Sequence, residues 1–226
     1  MEAVSGRPEI ARVSTTRADT RAMYDRISRY CELVEGVWER PVRRIGLDAL
    51  RAAPGESLIE VRCGLGYALV DIARAVEPNG RAVGVDLADG MCRVARRRVT
   101  RRGLSLRAGV VQGDASRLPL ASGCFDGAFM SFVLELFDTP QIPLVLAECQ
   151  RVVRPGGRLV VASLSKEGPE PPVRRLYERG HARFPRLLDC RPLYVARALR
   201  AAGMEITWAR TVSLWGLPVE VVRART

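Results

Sequence analysis

Residues 57 to 73 read SLIEVRCGLGYALVDIA, an apolar run that breaks into glycines and resumes with a helical pattern. SLIEV (57–61) reads as a short buried strand and YALVDIARAV (67–76) as a helix, joined by a tight turn. A strand, turn and helix of this kind hold a small anionic or polar ligand against backbone N–H groups. One residue stands out. Arg62 occupies a place where such turns want glycine, because the chain turns sharply and approaches the ligand with no side chain in between.

Outward from this stretch the same alternation continues. PNG (78–80) stops the helix, RAVGVDL (81–87) is a second strand and DGMCRVARRRVTRRG a second helix. SLRAGVVQGD (105–114) reads as a third strand and CFDGAFMSFVL (124–134) as a fourth, and TPQIPLVLAECQRVVRPGG as a helix closed by a Pro-Gly-Gly turn. GRLVVASLS (157–165) is a fifth strand, LYVARALRAAG a helix, and EITWARTVS with PVEVVRA an antiparallel hairpin. On the N-terminal side, after a polar and mobile start, residues 17–51 predict two helices, the second opened by Pro41. The fold class expected is α/β, a Rossmann-like, doubly wound, seven-stranded and mostly parallel sheet with a C-terminal antiparallel hairpin and an N-terminal helical lid. The expected organisation of the single domain (1–226) is a lid over 1–51, a core over 52–165, a substrate-side insertion over 166–192, and a C-terminal helix and hairpin over 193–226.

The totals agree with one domain. A chain of 226 residues buries one substantial core and is too short for two full α/β domains. No apolar stretch reaches the roughly 18 residues that span a bilayer, and the opening lacks the apolar segment of a secretory signal, so the expected location is cytoplasmic. Cys31, Cys63, Cys92, Cys124, Cys149 and Cys190 are scattered, with His181 the sole histidine, so neither a zinc site nor a disulfide framework is expected. The net charge of +11 raises a nucleic-acid reading. Arginine nevertheless supplies nearly all of it, Lys166 being the only lysine, and the cluster RVARRRVTRRG falls on the outer face of a predicted helix. A small-molecule substrate is therefore expected rather than nucleic acid, and a homodimer is allowed.

In a doubly wound sheet, ligands sit at the carboxyl ends of strands near the switch point. That rule collects the turn after strand 1, Asp86 after strand 2, Asp114 after strand 3, and Ser131 to Glu135 after strand 4 into one crevice. Asp86 follows Gly66 by twenty residues, a spacing at which a carboxylate accepts hydrogen bonds from ribose hydroxyls. A nicotinamide site needs a small third residue in G-x-G-x-x-G, and Leu69 holds that place.

These motifs together resemble the class I S-adenosylmethionine-dependent methyltransferases, and among them the ubiquinone/menaquinone methyltransferase-like (type 11) group. The matching segments are YDRISRYCELVEG, LIEVRCGLG, AVGVDLADGM, VQGDASRLPLASGCFDGAFMSFVLELF, LAECQRVVRPGGRLVVASLS and GLPVEVV. The resemblance implies methyl transfer from S-adenosylmethionine to a small metabolite. It implies that Glu60, Gly64 and Gly66, with Arg62 and Cys63 in the same turn, face the methionine end. Asp86 holds the ribose, Leu87 and Met91 flank the adenine, Asp114 with Ala115 meets its amino edge, Ser131 lines the crevice, and Tyr24 and Tyr30 belong to the lid. A reactive sulfonium donor needs alignment and exclusion of water more than acids and bases.

Each residue also has a plainer role open to it. Glu60 can satisfy backbone donors, Asp114 can be a helix N-cap, and Tyr24 and Tyr30 can be core. On the substrate side, Glu135 and His181 are the catalytic candidates. Glu135 can instead pair with an arginine, and His181 can be a packed residue beside Phe184. Trp38, Phe132, Phe137 and Tyr177 suggest an apolar or aromatic acceptor. For Arg62, which replaces the first glycine of E-x-G-x-G-x-G, three outcomes are open: it pairs with Glu60 or the cofactor carboxylate, it adopts ordinary dihedrals and points away, or it fills the pocket. The last would leave the fold serving another reaction (cyclisation, elimination, rearrangement) or a binding role.

Overall fold

A computed structural model describes residues 10, 39–168, 171–183 and 190–226. Along the chain they form α1 (Arg40–Leu50), β1 (Ser57–Val61), α2 (Tyr67–Ala75), β2 (Arg81–Asp86), α3 (Asp89–Arg101), β3 (Ala108–Gln112) and β4 (Phe125–Ser131). Then come 3-10 turns at Leu134–Leu136 and Thr139–Gln141, α4 (Ile142–Val152), β5 (Val153–Leu164), α5 (Pro172–Arg183), α6 (Val195–Ala201), β6 (Glu205–Leu214) and β7 (Leu217–Arg225). The first predicted helix, with Tyr24 and Tyr30, lies outside the described residues, as does Trp38 at the start of the second.

The seven strands make one sheet in the order β3-β2-β1-β4-β5-β7-β6. Strands β3 to β5 run parallel, and β7 is antiparallel to both β5 and β6. The order reverses between β1 and β4, which places the switch point beside the glycine turn. β1 is central and buried on both faces, its Leu58, Ile59 and Val61 each fully buried. Its successive residues point to opposite layers: Ile59 joins the core under α4 and α6, and Leu58 the core under α1 and α2. Helix α1, begun at Pro41, belongs to the second layer. Val42 and Leu50 are buried there, and a Cβ at Gly46 would stand 2.7 Å from the Phe129 ring, so this stretch of the expected lid is packed on the sheet.

Several boundaries differ from the sequence reading. The third strand is shorter than 105–114 because Leu106 faces solvent, and the fourth ends at Ser131, where Phe132 turns left-handed with φ 53°. The Pro-Gly-Gly segment does not close α4. It lies inside β5, at an irregularity where pairing jumps from Phe125 with Val153 to Gly127 with Arg158. The irregular excursion expected over 166–192 contains a helix, α5. Pro172 opens it, since proline at a first helical position gives up an N–H that would be unpaired anyway.

Candidate active site

The carboxyl ends of β1, β2, β3 and β4 lie along one edge of the sheet, with Val61 paired to Val85, Asp86 to Gln112 and Glu60 to Phe129. Glu60, the 62–66 turn, Asp86 to Met91, Asp114 to Ala115 and Ser131 are therefore gathered on that edge. Arg62 has φ 54°, followed by Gly64 at 49° and Gly66 at 76°. The ordinary-dihedral outcome for Arg62 is thereby overturned: the turn keeps its left-handed shape, and arginine has taken the backbone conformation of the glycine it replaces. Its side chain is half-buried.

Asp86 fastens this turn. Its Oδ2 accepts from the Gly64 N–H at 3.0 Å and its Oδ1 from the Ala88 N–H at 2.9 Å. The Cys63 N–H donates to the Val85 carbonyl at 2.9 Å and the Gly66 N–H to the Cys63 carbonyl at 2.8 Å. Gly66 is required twice, by its φ and by α3, since a Cβ there would stand 3.0 Å from that of Ala95. Cys92, beneath Asp86, donates its thiol to the Asp86 carbonyl. Burial, and then the charge of Asp86, push that thiol up to about 11, so it stays neutral at physiological pH.

Met91 is buried against Leu65 and Ala88, and Leu87 is half-buried with its carbonyl accepting from Gln112 Nε2 at 3.1 Å. Asp114 is the N-cap of no described helix. Its Oδ1 accepts from the N–H and Oγ of Ser116, at 2.9 and 2.8 Å, closing a side-chain turn that carries buried Ala115. Ser131 Oγ is buried with no hydrogen-bond partner among the described residues, an orphan polar atom on an edge that also carries the buried carboxylates of Glu60 and Asp86. Asp86 has lone pairs beyond the two its backbone donors use. These features fit a polar ligand bearing hydroxyl and amine donors.

The acceptor-side candidates are less exposed than their sequence positions suggested. Glu135 is wholly buried, its Oε1 accepting from the Leu164 N–H of β5 at 3.4 Å, and His181 is buried on α5. Two further features were not read from sequence. Tyr67, first residue of α2, lies between the guanidinium groups of Arg98 and Arg43, 3.5 and 5.0 Å from its ring centre. Arg191, fully buried, donates to Thr139 Oγ1 at 3.0 Å and to the Phe137 carbonyl, tying the loop after β4 to the segment before α6. An aromatic residue directly after the glycine turn was the available signal for the first; nothing local signals the second.

Residues 58–157 match the methyltransferase domain family. Over 205 residues the chain is 32% identical to nocamycin O-methyltransferase of Saccharothrix syringae, covering 80% of this chain and 70% of that protein. The chain belongs to the S-adenosylmethionine-dependent methyltransferases. It is also 37% identical over 163 residues to a demethylmenaquinone methyltransferase of Beutenbergia cavernae, covering 70% of this chain and 63% of that one. Several curated relatives of this chain are longer, the chain spanning 46% to 63% of their lengths. Among solved structures it shares its fold with the cyclase SpnF, at a TM-score of 0.75 and 22% identity over 94% of this chain and 97% of that one. S-adenosylmethionine is the cofactor that family membership brings, and the donor set on the strand edge is chemically suited to it. No described helix is long and apolar enough to cross a membrane.

Proposed function

We propose that this chain transfers a methyl group from S-adenosylmethionine to a small metabolite with an apolar or aromatic body. The observation that carries the reading is Asp86, a buried carboxylate bound by Gly64 and Ala88 N–H groups, which joins the glycine turn to the end of β2 and keeps acceptor capacity for a ribose diol. When bound, the cofactor supplies an electrophilic methyl on a sulfonium. The chain's own residues bind and orient. Glu60, Arg62, Cys63, Gly64 and Gly66 face the methionine end, Leu87 and Met91 the adenine, Asp114 and Ala115 its amino group, and Ser131 Oγ lends a donor from β4. Tyr24 and Tyr30 are assigned to the cover over it.

Glu135 is a positioning residue in this reading, holding the loop after β4 to β5 through the Leu164 N–H. His181 is the group assigned to receive the acceptor's proton.

Calorimetry of the intact chain with S-adenosylmethionine tests the proposal. Binding is expected, and its absence at millimolar donor would sink the reading. A second reading, the same fold serving a reaction other than methylation, is favoured by the charged side chain at Arg62. Donor bound without release of S-adenosylhomocysteine across a panel of aromatic and quinone acceptors would point to it. An Arg62→Gly variant that gained turnover would assign the block to that side chain.

A further inference from the structure

Helix α5 is folded with its polar side inward. Arg174 and His181 are buried and Tyr177 and Glu178 half-buried, while Leu176 on the opposite side is 70% exposed. Positions 174, 177, 178 and 181 share one helical face, and an amphipathic helix ordinarily turns its apolar stripe inward instead. Hydrophobic burial does not explain this orientation.

Lys166, Arg174 and Glu178 meet on that face. Lys166, two residues past the end of β5 and 7% exposed, has its Nζ 3.8 Å from Glu178 Oε1. Arg174, 2% exposed, has its Nε 4.0 Å from the same oxygen. The Arg174 distance exceeds a hydrogen bond. Arg174 Nε and Nη1 are buried with no hydrogen-bond partner among the described residues. The guanidinium is a rigid fork of five donors, and leaving it buried with donors unused is unfavourable unless an anion completes it. Tyr177 donates to the Cys190 carbonyl at 2.7 Å.

The location is the acceptor side of the crevice. β5 runs parallel to β4, with Ala162 beside Ser131, so Lys166 follows on the edge that carries Ser131, Glu60 and Asp86. Helix α5 also reaches the turn between β6 and β7 at this edge, where a Cβ on Gly216 would stand 3.2 Å from Val173.

We propose that Arg174 and Lys166 bind an acidic group, a carboxylate or phosphate, carried by the methyl acceptor. This rests on the methyl-transfer reading above and names the class of its substrate: an apolar body with an oxyanion. The guanidinium fork matches either oxyanion through paired N–H bonds, and the ammonium adds a point charge. Glu178, whose Oε1 nearest the two cations is buried without a hydrogen-bond partner among the described residues, competes for them.

The test uses the intact chain with benzoate, phenyl phosphate and uncharged benzamide, bound affinities being read by ligand-observed NMR. At least one of the two anions is expected to bind and benzamide to bind roughly tenfold more weakly or not at all; whichever anion binds more tightly identifies the group. Arg174→Met should weaken the anion roughly tenfold and Glu178→Gln should tighten it several-fold, a gain that a merely structural role for the cluster does not produce. Equal binding of all three probes, binding of none, or unchanged anion affinity in Arg174→Met overturns the proposal. If Arg174→Met does not fold, Glu178→Gln decides, and unchanged or weaker anion binding there overturns it. Calorimetry with S-adenosylmethionine on the same samples separates the two readings. Donor binding without anion preference defeats this site alone, and anion preference without donor binding defeats the methyl-transfer reading while the site stands.

Discussion

At Arg62 the backbone, more than the charge, sets the consequence. A left-handed conformation costs a non-glycine residue about 1–2 kcal/mol, and hydrogen bonds from Cys63, Gly64 and Gly66 hold the turn in that shape. Glycine removes this strain but gives back about 0.4–1 kcal/mol of unfolded-state entropy. Arg62→Gly should therefore stabilise the protein by up to about 1 kcal/mol, seen as a higher Tm without donor; a fall in Tm would mean that contacts of the arginine side chain outweigh its backbone strain. Asp86 is the opposite case. Asp86→Asn keeps the shape but replaces one acceptor with an N–H donor facing a backbone N–H. Loss of about 1–3 kcal/mol in denaturant unfolding is expected, along with weaker donor binding in calorimetry.

Two elements depend on carboxylates supplied across the fold or along a helix. On α4, Glu148 binds Arg151 through two 2.7 Å bonds and accepts from the Leu118 N–H at 2.7 Å, while Arg151 donates to the Leu118 and Leu120 carbonyls. The pair clamps the loop that leads into β4. The Arg151 guanidinium holds the Glu148 carboxyl below its ordinary value. Its stabilisation is therefore present above the unfolded pKa and lost as pH falls through the folded one. Glu148→Gln should remove about 1–3 kcal/mol at neutral pH and flatten the acid limb of the stability curve. On β7, Glu220 is buried beside the start of α6, near Val195 and Ala196, and burial pushes its carboxyl up. The sign reverses here: the folded state holds the proton longer, so stability falls as pH rises through the folded pKa. Glu220→Gln should raise Tm at pH 8, and the gain should vanish below the ordinary carboxylate range.

Over the whole molecule, the cofactor edge joins four strands, so donor binding should stabilise the domain as a unit. At one hundred times its Kd the donor adds about 2.7 kcal/mol, or roughly 5–10 °C in Tm at this size; no shift would mean the edge does not bind it. Much of this arrangement was legible in the sequence. SLIEV and RAVGVD emerged as strands at the expected residues, and the glycine turn and Asp86 met at their ends. Strand and helix periods and turn chemistry belong to contiguous residues, and the carboxyl-end rule then assembles the crevice. The boundaries of β5 and the helix in 166–192 were obscured by prolines and glycines, which here sit inside an irregular strand and at a helix start rather than at breaks. By itself, then, the sequence determined the alternating architecture, the family and which residues stand at the carboxyl ends of the strands. Only the tertiary structure decided that Arg62 adopts a glycine's backbone, that Glu135 is buried against β5, that Glu220 is buried beside the start of α6, and that α5 turns Arg174 and Glu178 inward toward Lys166. Those outcomes depend on contacts between residues distant along the chain, where local period and propensity carry no information.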